Sequence, residues 1–168
     1  KIQKIINGQK NIGVLEAGTG LGKSIGYLFP AIEQSKQRRK CVLISCHTKN
    51  LQDQLFYKDL PILSNALGIN INAALLKGRS NYICKTRLNW LINEKNKILS
   101  SKDIESILPL IIWLSFTKTG DLSECSGFWN SRPNKTPSLI KSDKGYCTTA
   151  ICGQNDGCYF GKIRRAAQ

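Results

Sequence analysis

A glycine-rich loop between an apolar run and a helix-forming segment constrains the fold of this chain more than any other feature. The apolar run covers residues 12–17, and the loop continues as Gly-Thr-Gly-Leu-Gly-Lys-Ser to Ser24. Glycines at this spacing let backbone N–H groups converge on phosphate oxygens where a helix begins. The lysine adds a charge for the outer phosphates, and the hydroxyl adds a ligand for Mg²⁺. The pattern predicts a nucleotide phosphate loop.

The phosphate loop departs from the strict pattern at one position, because Ala17 stands where a glycine is usual. This departure indicates a subclass of phosphate loops and leaves the site intact. The residues predicted to bind the nucleotide are Ala17, Gly18, Thr19, Gly20, Leu21, Gly22, Lys23 and Ser24, the last two being catalytic. Hydrolysis also needs an acidic motif after a later strand. No Asp-Glu pair follows an apolar run, so we expect nucleotide binding without complete hydrolysis.

The order of apolar runs predicts the fold class. Short apolar runs typical of buried strands occupy residues 12–17, 41–46 and 73–76, with helix-forming segments between them. This alternation predicts an α/β fold with a parallel sheet and flanking helices. Thr48 is predicted to cap the second helix, and after Cys84 the pattern becomes helical, near residues 86–97 and 103–117.

The charge of the chain favours a polyanionic partner. Lys and Arg number 25 against 11 Asp and Glu, which gives a formal net charge of +14. Nucleic acid is the first candidate and an acidic membrane surface the second. The longest apolar run, residues 110–114, is far shorter than the roughly 20 residues of a membrane span, so no membrane-spanning role is expected. The chain starts at Lys1 and contains no Met, which favours a piece of a longer protein.

Seven cysteines make an odd number, which fits a metal site better than a disulfide framework. Cys147, Cys152 and Cys158 are separated by four and five residues in a segment loosened by glycines. A fourth ligand must come from elsewhere, and Cys84 is preferred over Cys125, Cys41 and Cys46. Zinc and an iron–sulfur cluster both remain open, with the wide spacing favouring iron–sulfur.

Four segments together resemble the iron–sulfur helicases of the DinG/XPD type, which are superfamily 2 DNA helicases. The segments are residues 16–32, 44–63, 75–84 and 147–167, in the family's order. The resemblance implies a partial RecA-like P-loop motor domain with an α-helical iron–sulfur insert. Residues 1–83 would be the N-terminal part of motor domain 1, residues 84–160 the insert, and residues 161–168 the start of the return to the motor domain.

The resemblance also implies a cofactor and a partner for each motif. ATP and Mg²⁺ would bind the phosphate loop. A 4Fe–4S cluster would bind Cys84, Cys147, Cys152 and Cys158. The residues implied to contact DNA are Thr48, Lys49, Gln52, Arg79, Asn81 and Tyr82.

The family's activity is ATP-dependent translocation 5′ to 3′ on single-stranded DNA, with unwinding of duplexes in repair and replication. Forked or flapped duplex DNA is therefore an expected substrate. A DinG-like protein would work at the nucleoid in the bacterial cytoplasm, and an XPD-like protein in a nucleus.

Two other functions compete with the helicase. The first is a non-catalytic nucleic-acid-binding module with a structural metal centre, and the second is a zinc-bearing P-loop ATPase unrelated to DNA. An apolar strand ending in Asp-Glu-x-His in the chain beyond Gln168 would favour the helicase. We expect the acidic motif and the second motor domain to lie outside these 168 residues.

Overall fold

A computed structural model describes residues 2–9, 11–18, 20–94, 99–129, 136–148, 152 and 157–168. The chain divides into two compact units, Lys1–Leu75 and Leu76–Gln168. The predicted boundary between motor domain and insert falls at residue 84, and the role assigned to each part stays a prediction.

The first unit is built from helices. Their bounds are α1 Ile2–Ile6, α2 Lys23–Arg38, α3 Lys49–Gln54 and α4 Leu60–Leu67, and one π-helical turn, Leu55–Asp59, connects α3 to α4. The core of this unit lies where α2 meets the π-helical turn and α4, with Leu28, Ile32, Leu55 and Leu63 buried. Helix α2 continues through Pro30 to Arg38. Side chains on both sides of the proline, such as Leu28 and Ile32, are buried.

Polar side chains fix α1 against α2. The Gln3 amide donates to the Glu33 carboxylate at 2.7 Å, and the Gln34 amide donates to the Asn7 side chain at 2.6 Å. Arg38 donates to the backbone carbonyl of Asn7 at 3.0 Å. These contacts hold the segment before the glycine-rich loop to the helix after it.

The predicted parallel sheet is wrong. None of the residues that the structure describes forms a strand, and the only β pairing among them consists of two isolated bridges, Tyr82 with Asp121 and Ile83 with Lys141. The runs 12–17, 41–46 and 73–76 are irregular, and Val14 and Leu43 are 94% and 92% exposed. An apolar run specifies a need for burial, whereas a strand also needs neighbours that take up its backbone hydrogen bonds. Most side chains of these runs are exposed, and among the described residues no neighbouring strand takes up their backbone hydrogen bonds.

The second unit is also helical. Its bounds are α5 Lys85–Asn93, α6 Ser101–Leu114, α7 Ser126–Trp129, α8 Thr136–Ile140 and α9 Tyr159–Ala166, with 3₁₀ turns at Arg79–Asn81 and Leu122–Glu124. The helices predicted near 86–97 and 103–117 are confirmed as α5 and α6, although residues 95–98 lie outside the described part. α6 begins with a capping box in which Ser100 and Asp103 bond each other's backbone N–H.

A short extended segment crosses the middle of the second unit and leads into α5. The Ile83 N–H donates to the Gly120 carbonyl at 2.9 Å, and the Cys84 N–H donates to the Ile140 carbonyl at 2.7 Å. The Ser142 N–H returns a bond of 2.8 Å to the Tyr82 carbonyl. The segment is therefore held on both sides, which fixes Cys84 at the start of α5.

Apolar side chains from most elements of the second unit meet in one core. Its members include Ile83, Leu91, Leu110, Phe128 and Ile140, each at most 1% exposed. Across the described ranges, the structure contains no helix long and apolar enough to cross a bilayer.

Candidate nucleotide loop and cysteine site

The glycine-rich loop leads directly into the first turn of α2. Gly20 and Gly22 adopt left-handed conformations with φ of 79° and 68°, which side chains rarely allow. Gly22 occupies the N-cap position, so the first N–H groups of α2 meet no capping side chain. Such a helix start attracts anions through its N–H groups and its dipole.

Lys23 and Ser24 are the first two residues of α2. Lys23 is exposed and Ser24 is half-buried, and the loop residues Ala17, Gly18 and Leu21 are exposed. Thr19, the remaining residue predicted to bind the nucleotide, lies outside the described residues. The structure thus groups the described loop residues at one helix end.

The hydroxyl of Ser24 has a neighbour one turn further along α2. Burial raises the pKa of Tyr27, and a hydrogen bond between Tyr27 and the Ser24 side chain lowers it in part. The charges of Cys46 and Asp59 add to the rise. Tyr27 therefore connects the predicted Mg²⁺ ligand to the residues that surround the π-helical turn.

Cys84 is the N-cap residue of α5. Burial raises the pKa of its thiol, and the backbone N–H groups of Arg87 and Thr86 lower it in part. Cys147 and Cys152 lie near enough to raise the pKa further by charge repulsion. The thiol of Cys84 is therefore within electrostatic range of two of the other predicted cluster ligands.

Cys158 occupies the corresponding position of α9. Its thiol accepts the backbone N–H of Gly161 at 3.4 Å, which satisfies part of the helix start. The neighbouring ring of Tyr159 lies under the ammonium of Lys85, at 4.7 Å. Because Lys85 follows Cys84, this contact ties the segment of Cys158 to that of Cys84.

The donor set suits an iron–sulfur cluster in its chemistry, since all four side chains are thiols that bind iron as thiolates. Within the described ranges, however, no three His, Cys, Asp or Glu side chains converge as a metal site. Cys125, a rival for the fourth position, is buried in the core, where its thiol faces the Pro109 carbonyl at 3.9 Å. Cys125 packs as a small apolar residue of this core, and its burial raises the pKa of its thiol.

The first group of predicted DNA contacts lies at the start of α3. The predicted cap at Thr48 is confirmed, because its hydroxyl accepts the Leu51 N–H at 3.3 Å. Thr48 and Lys49 are exposed, and Gln52 is half-buried. All three side chains are thus placed on one turn of the first unit.

The second group lies just before Cys84, and one of its members is not placed for DNA contact. Tyr82 is 1% exposed, and its hydroxyl accepts the Lys77 N–H at 2.9 Å. A ring held in the core cannot stack on a base, so Tyr82 has a structural role in this conformation. Arg79 lies over the Phe160 ring at 4.9 Å, and Asn81 donates to the Gly78 carbonyl at 2.8 Å.

A buried ion pair beside this segment was not predicted from the sequence. The Lys77 ammonium lies 2.6 Å from the Asp121 carboxylate, with side chains 3% and 6% exposed. Asp121 also accepts from the N–H and hydroxyl of Ser123, at 3.0 and 2.8 Å. Lys77 follows the apolar run 73–76 directly, and this is the one sequence signal that could have indicated its burial.

Comparison with known proteins finds relatives by sequence over most of this chain. The ATP-dependent DNA helicase YoaA of Haemophilus influenzae is 39% identical over 155 residues, which are 92% of this chain and 23% of that protein. The protein of the same name from Escherichia coli is 36% identical over 159 residues, with the same two shares. The 3′-5′ exonuclease DinG of Staphylococcus aureus is 33% identical over 160 residues, 92% of this chain and 16% of that protein.

Over nearly its whole length the chain is therefore similar to proteins named YoaA and DinG, which is consistent with the DinG-type helicase fragment that the four matched segments resembled. It spans less than a quarter of the length of these relatives. No family model matches the chain, and no solved structure matches it significantly.

Proposed function

We propose that this chain is the nucleotide-binding and cluster-binding part of an ATP-dependent DNA helicase. The observation that carries the proposal is the match to two proteins named ATP-dependent DNA helicase YoaA over 92% of the chain. The glycine-rich loop at the start of α2 and the thiols at the starts of α5 and α9 support it. Both features lie within segments that had indicated this family.

The loop residues would bind ATP through its phosphates. Gly20 and Gly22 shape the backbone so that N–H groups face the anion, and the dipole of α2 adds attraction. Lys23 would carry its charge to the β- and γ-phosphates, and the Ser24 hydroxyl would bind Mg²⁺. Tyr27 would accept a hydrogen bond from the Ser24 hydroxyl, which leaves an oxygen lone pair of Ser24 for the cation.

ATP binding by variants of α2 tests this part of the proposal. The Lys23→Ala chain should bind Mg²⁺–ATP about tenfold to a hundredfold more weakly, because a charge-assisted contact is lost. Lys36→Ala is the matched control, since Lys36 is an exposed lysine in the last turn of the same helix. Isothermal titration measures both. Equal affinity of Lys23→Ala and the parent chain would show that the loop binds no phosphate.

Cys84, Cys147, Cys152 and Cys158 would hold a 4Fe–4S cluster. When bound, the cluster cross-links the segments that supply its ligands, and we assign it this structural role. The thiol at the start of α9 accepts the backbone N–H of Gly161, which orients it at the helix end. Anaerobic purification followed by iron, sulfide and zinc analysis tests the assignment. Stoichiometric zinc without sulfide would show that the cysteines bind zinc and not an iron–sulfur cluster.

Single-stranded DNA is the proposed partner, with forked or flapped duplexes as substrates of the whole protein. The net charge of +14 and the exposed turn at Thr48 and Lys49 support contacts with the phosphate backbone. Affinity should then fall steeply with added salt, since each neutralised phosphate releases counterions. A binding constant that does not change with salt would show that the positive charge does not contact the DNA phosphates.

The names of the relatives differ in the activity they state, helicase for YoaA and 3′-5′ exonuclease for DinG. The described residues favour the helicase, because they include the phosphate loop proposed to bind ATP. The 5′ to 3′ polarity is part of the same proposal and rests on the resemblance. The relatives are bacterial proteins, which favours the bacterial cytoplasm over a nucleus.

A further inference from the structure

Arg87 joins α5 to a later part of the second unit at three points. Its guanidinium donates from Nη1 to the Lys141 carbonyl at 2.8 Å and from Nη2 to the Ser138 carbonyl at 3.0 Å. The same group lies over the ring of Tyr146, with 4.7 Å between Cζ and the ring centroid. Only a planar group with several donors can bond two carbonyls and stack on a ring at once.

These contacts bridge two of the proposed cluster ligands. Arg87 is the third residue after Cys84 and lies in the first turn of α5, which Cys84 begins as its N-cap. Tyr146 directly precedes Cys147, whose own N–H donates to the Asp143 carbonyl at 3.1 Å. The side chain of Arg87 therefore ties the turn that carries Cys147 to the helix that begins at Cys84.

A second pair of the same kind lies beside the fourth cysteine. Lys85 covers the ring of Tyr159 at 4.7 Å, and Tyr159 directly follows Cys158. The ring is buried and packs so closely on Gly120 that an added Cβ there would lie 2.3 Å from it. Arg87 and Lys85, both within three residues of Cys84, thus each contact an aromatic ring that adjoins another cysteine in sequence.

We propose that Arg87 is a positioning residue that holds Cys147 beside Cys84 before any metal binds. The inference deepens the proposed cluster site and rests on it for its purpose. Gathering thiols from distant parts of a chain costs conformational entropy, and a preformed arrangement reduces that cost at the moment of binding. The contacts of Arg87 involve no cysteine side chain of the later segment, so they persist whether or not the thiols bind metal.

Disulfide trapping in the metal-free, full 168-residue chain tests the inference. Diamide oxidises two neighbouring thiols to a disulfide by accepting their two hydrogens, and peptide mass spectrometry quantifies the Cys84–Cys147 link. The Arg87→Met chain should form this link at least about tenfold more slowly, because two charge-assisted hydrogen bonds are lost. Arg87→Lys should be intermediate, since an ammonium cannot span both carbonyls. Arg164→Met, which removes an exposed arginine of α9, should match the parent chain.

A pair of substitutions at Tyr146 separates positioning from folding. The ring is 53% exposed, so neither Tyr146→Phe nor Tyr146→Leu should unfold the unit. Phenylalanine keeps the face that Arg87 covers and should preserve the rate of the link. Leucine removes it and should slow the link about two- to fivefold, the usual worth of such a contact. If Tyr146→Phe, Tyr146→Leu and Arg87→Met all form the link at the rate of the parent chain, the inference is overturned.

Anaerobic reconstitution with iron and sulfide distinguishes this inference from the proposed function. If the parent chain takes up no cluster while Arg87→Met still slows the link, the cluster is refuted and the positioning role stands for another thiol ligand. If the parent chain takes up a cluster and Arg87→Met both links and acquires visible cluster absorbance at the parent rate, the cluster stands and the positioning role is refuted.

Discussion

Replacing Lys77 by methionine should destabilise the second unit more than any surface substitution. The ammonium lies 2.6 Å from the Asp121 carboxylate, and both side chains are almost completely buried. Methionine keeps the length of the side chain but leaves the carboxylate without its counter-charge. An uncompensated buried charge costs far more than the net worth of the pair.

The expected loss is about 3–5 kcal/mol of unfolding free energy. Domains of this size are stable by about 5–15 kcal/mol, so the substitution removes a large share of the total. With a urea dependence of about 2 kcal/mol per molar, the midpoint should fall by ~2 M. The double variant Lys77→Met/Asp121→Asn removes both charges, while the asparagine oxygen still accepts from Ser123. It should therefore regain most of the loss.

Tryptophan fluorescence during urea unfolding measures the effect in the correct unit, because Trp90, Trp113 and Trp129 all lie in Leu76–Gln168. Lys118→Met, at an exposed lysine of the same unit, should change the free energy by less than about 0.5 kcal/mol. A midpoint for Lys77→Met equal to that of this control would refute the reasoning. So would a double variant no more stable than the single one.

Three further substitutions or measurements follow from the same unit. Gly120→Ala should cost about 1–3 kcal/mol in the urea assay, because φ is +65° and the new Cβ meets Tyr159; an unchanged midpoint would contradict this. Ser100→Ala removes the cap of α6 and should cost ~1 kcal/mol, whereas Ser100→Asp should cost far less. Iodoacetamide should alkylate Cys84 of the metal-free chain more slowly than exposed Cys41 at neutral pH and catch up as pH rises, because burial raises the pKa of Cys84; equal rates at neutral pH would contradict this.

Local features of both units could be predicted from the sequence. Apolar spacing found α5 and α6, and the hydroxyl of Thr48 before a leucine found the start of α3. These features depend on residues within one or two turns of each other. The same holds for the start of α2 at Lys23, which the glycine-rich loop indicated.

Features that join distant residues were not predicted. The carbonyl partners of Arg87 lie 51 and 54 residues away, and nothing in the local pattern marks them. The pairing of Lys77 with Asp121 is of the same kind. The expected sheet failed for a related reason, since an apolar run such as 41–46 indicates burial but names no partner strand. The resemblance implied that Tyr82 contacts DNA, while the packing of the unit places its ring in the core.

The exposed apolar runs of the first unit have a practical consequence for anyone preparing this chain. Residues around Val14 and Leu43 present bare hydrophobic side chains, and backbone not organised into a helix or ladder, to the solvent. Such segments readily pair with copies of themselves and seed aggregates. The soluble fraction should therefore fall as the protein concentration rises. A single lysine in place of Val14 or Leu43 should improve the yield of monomer without changing either core.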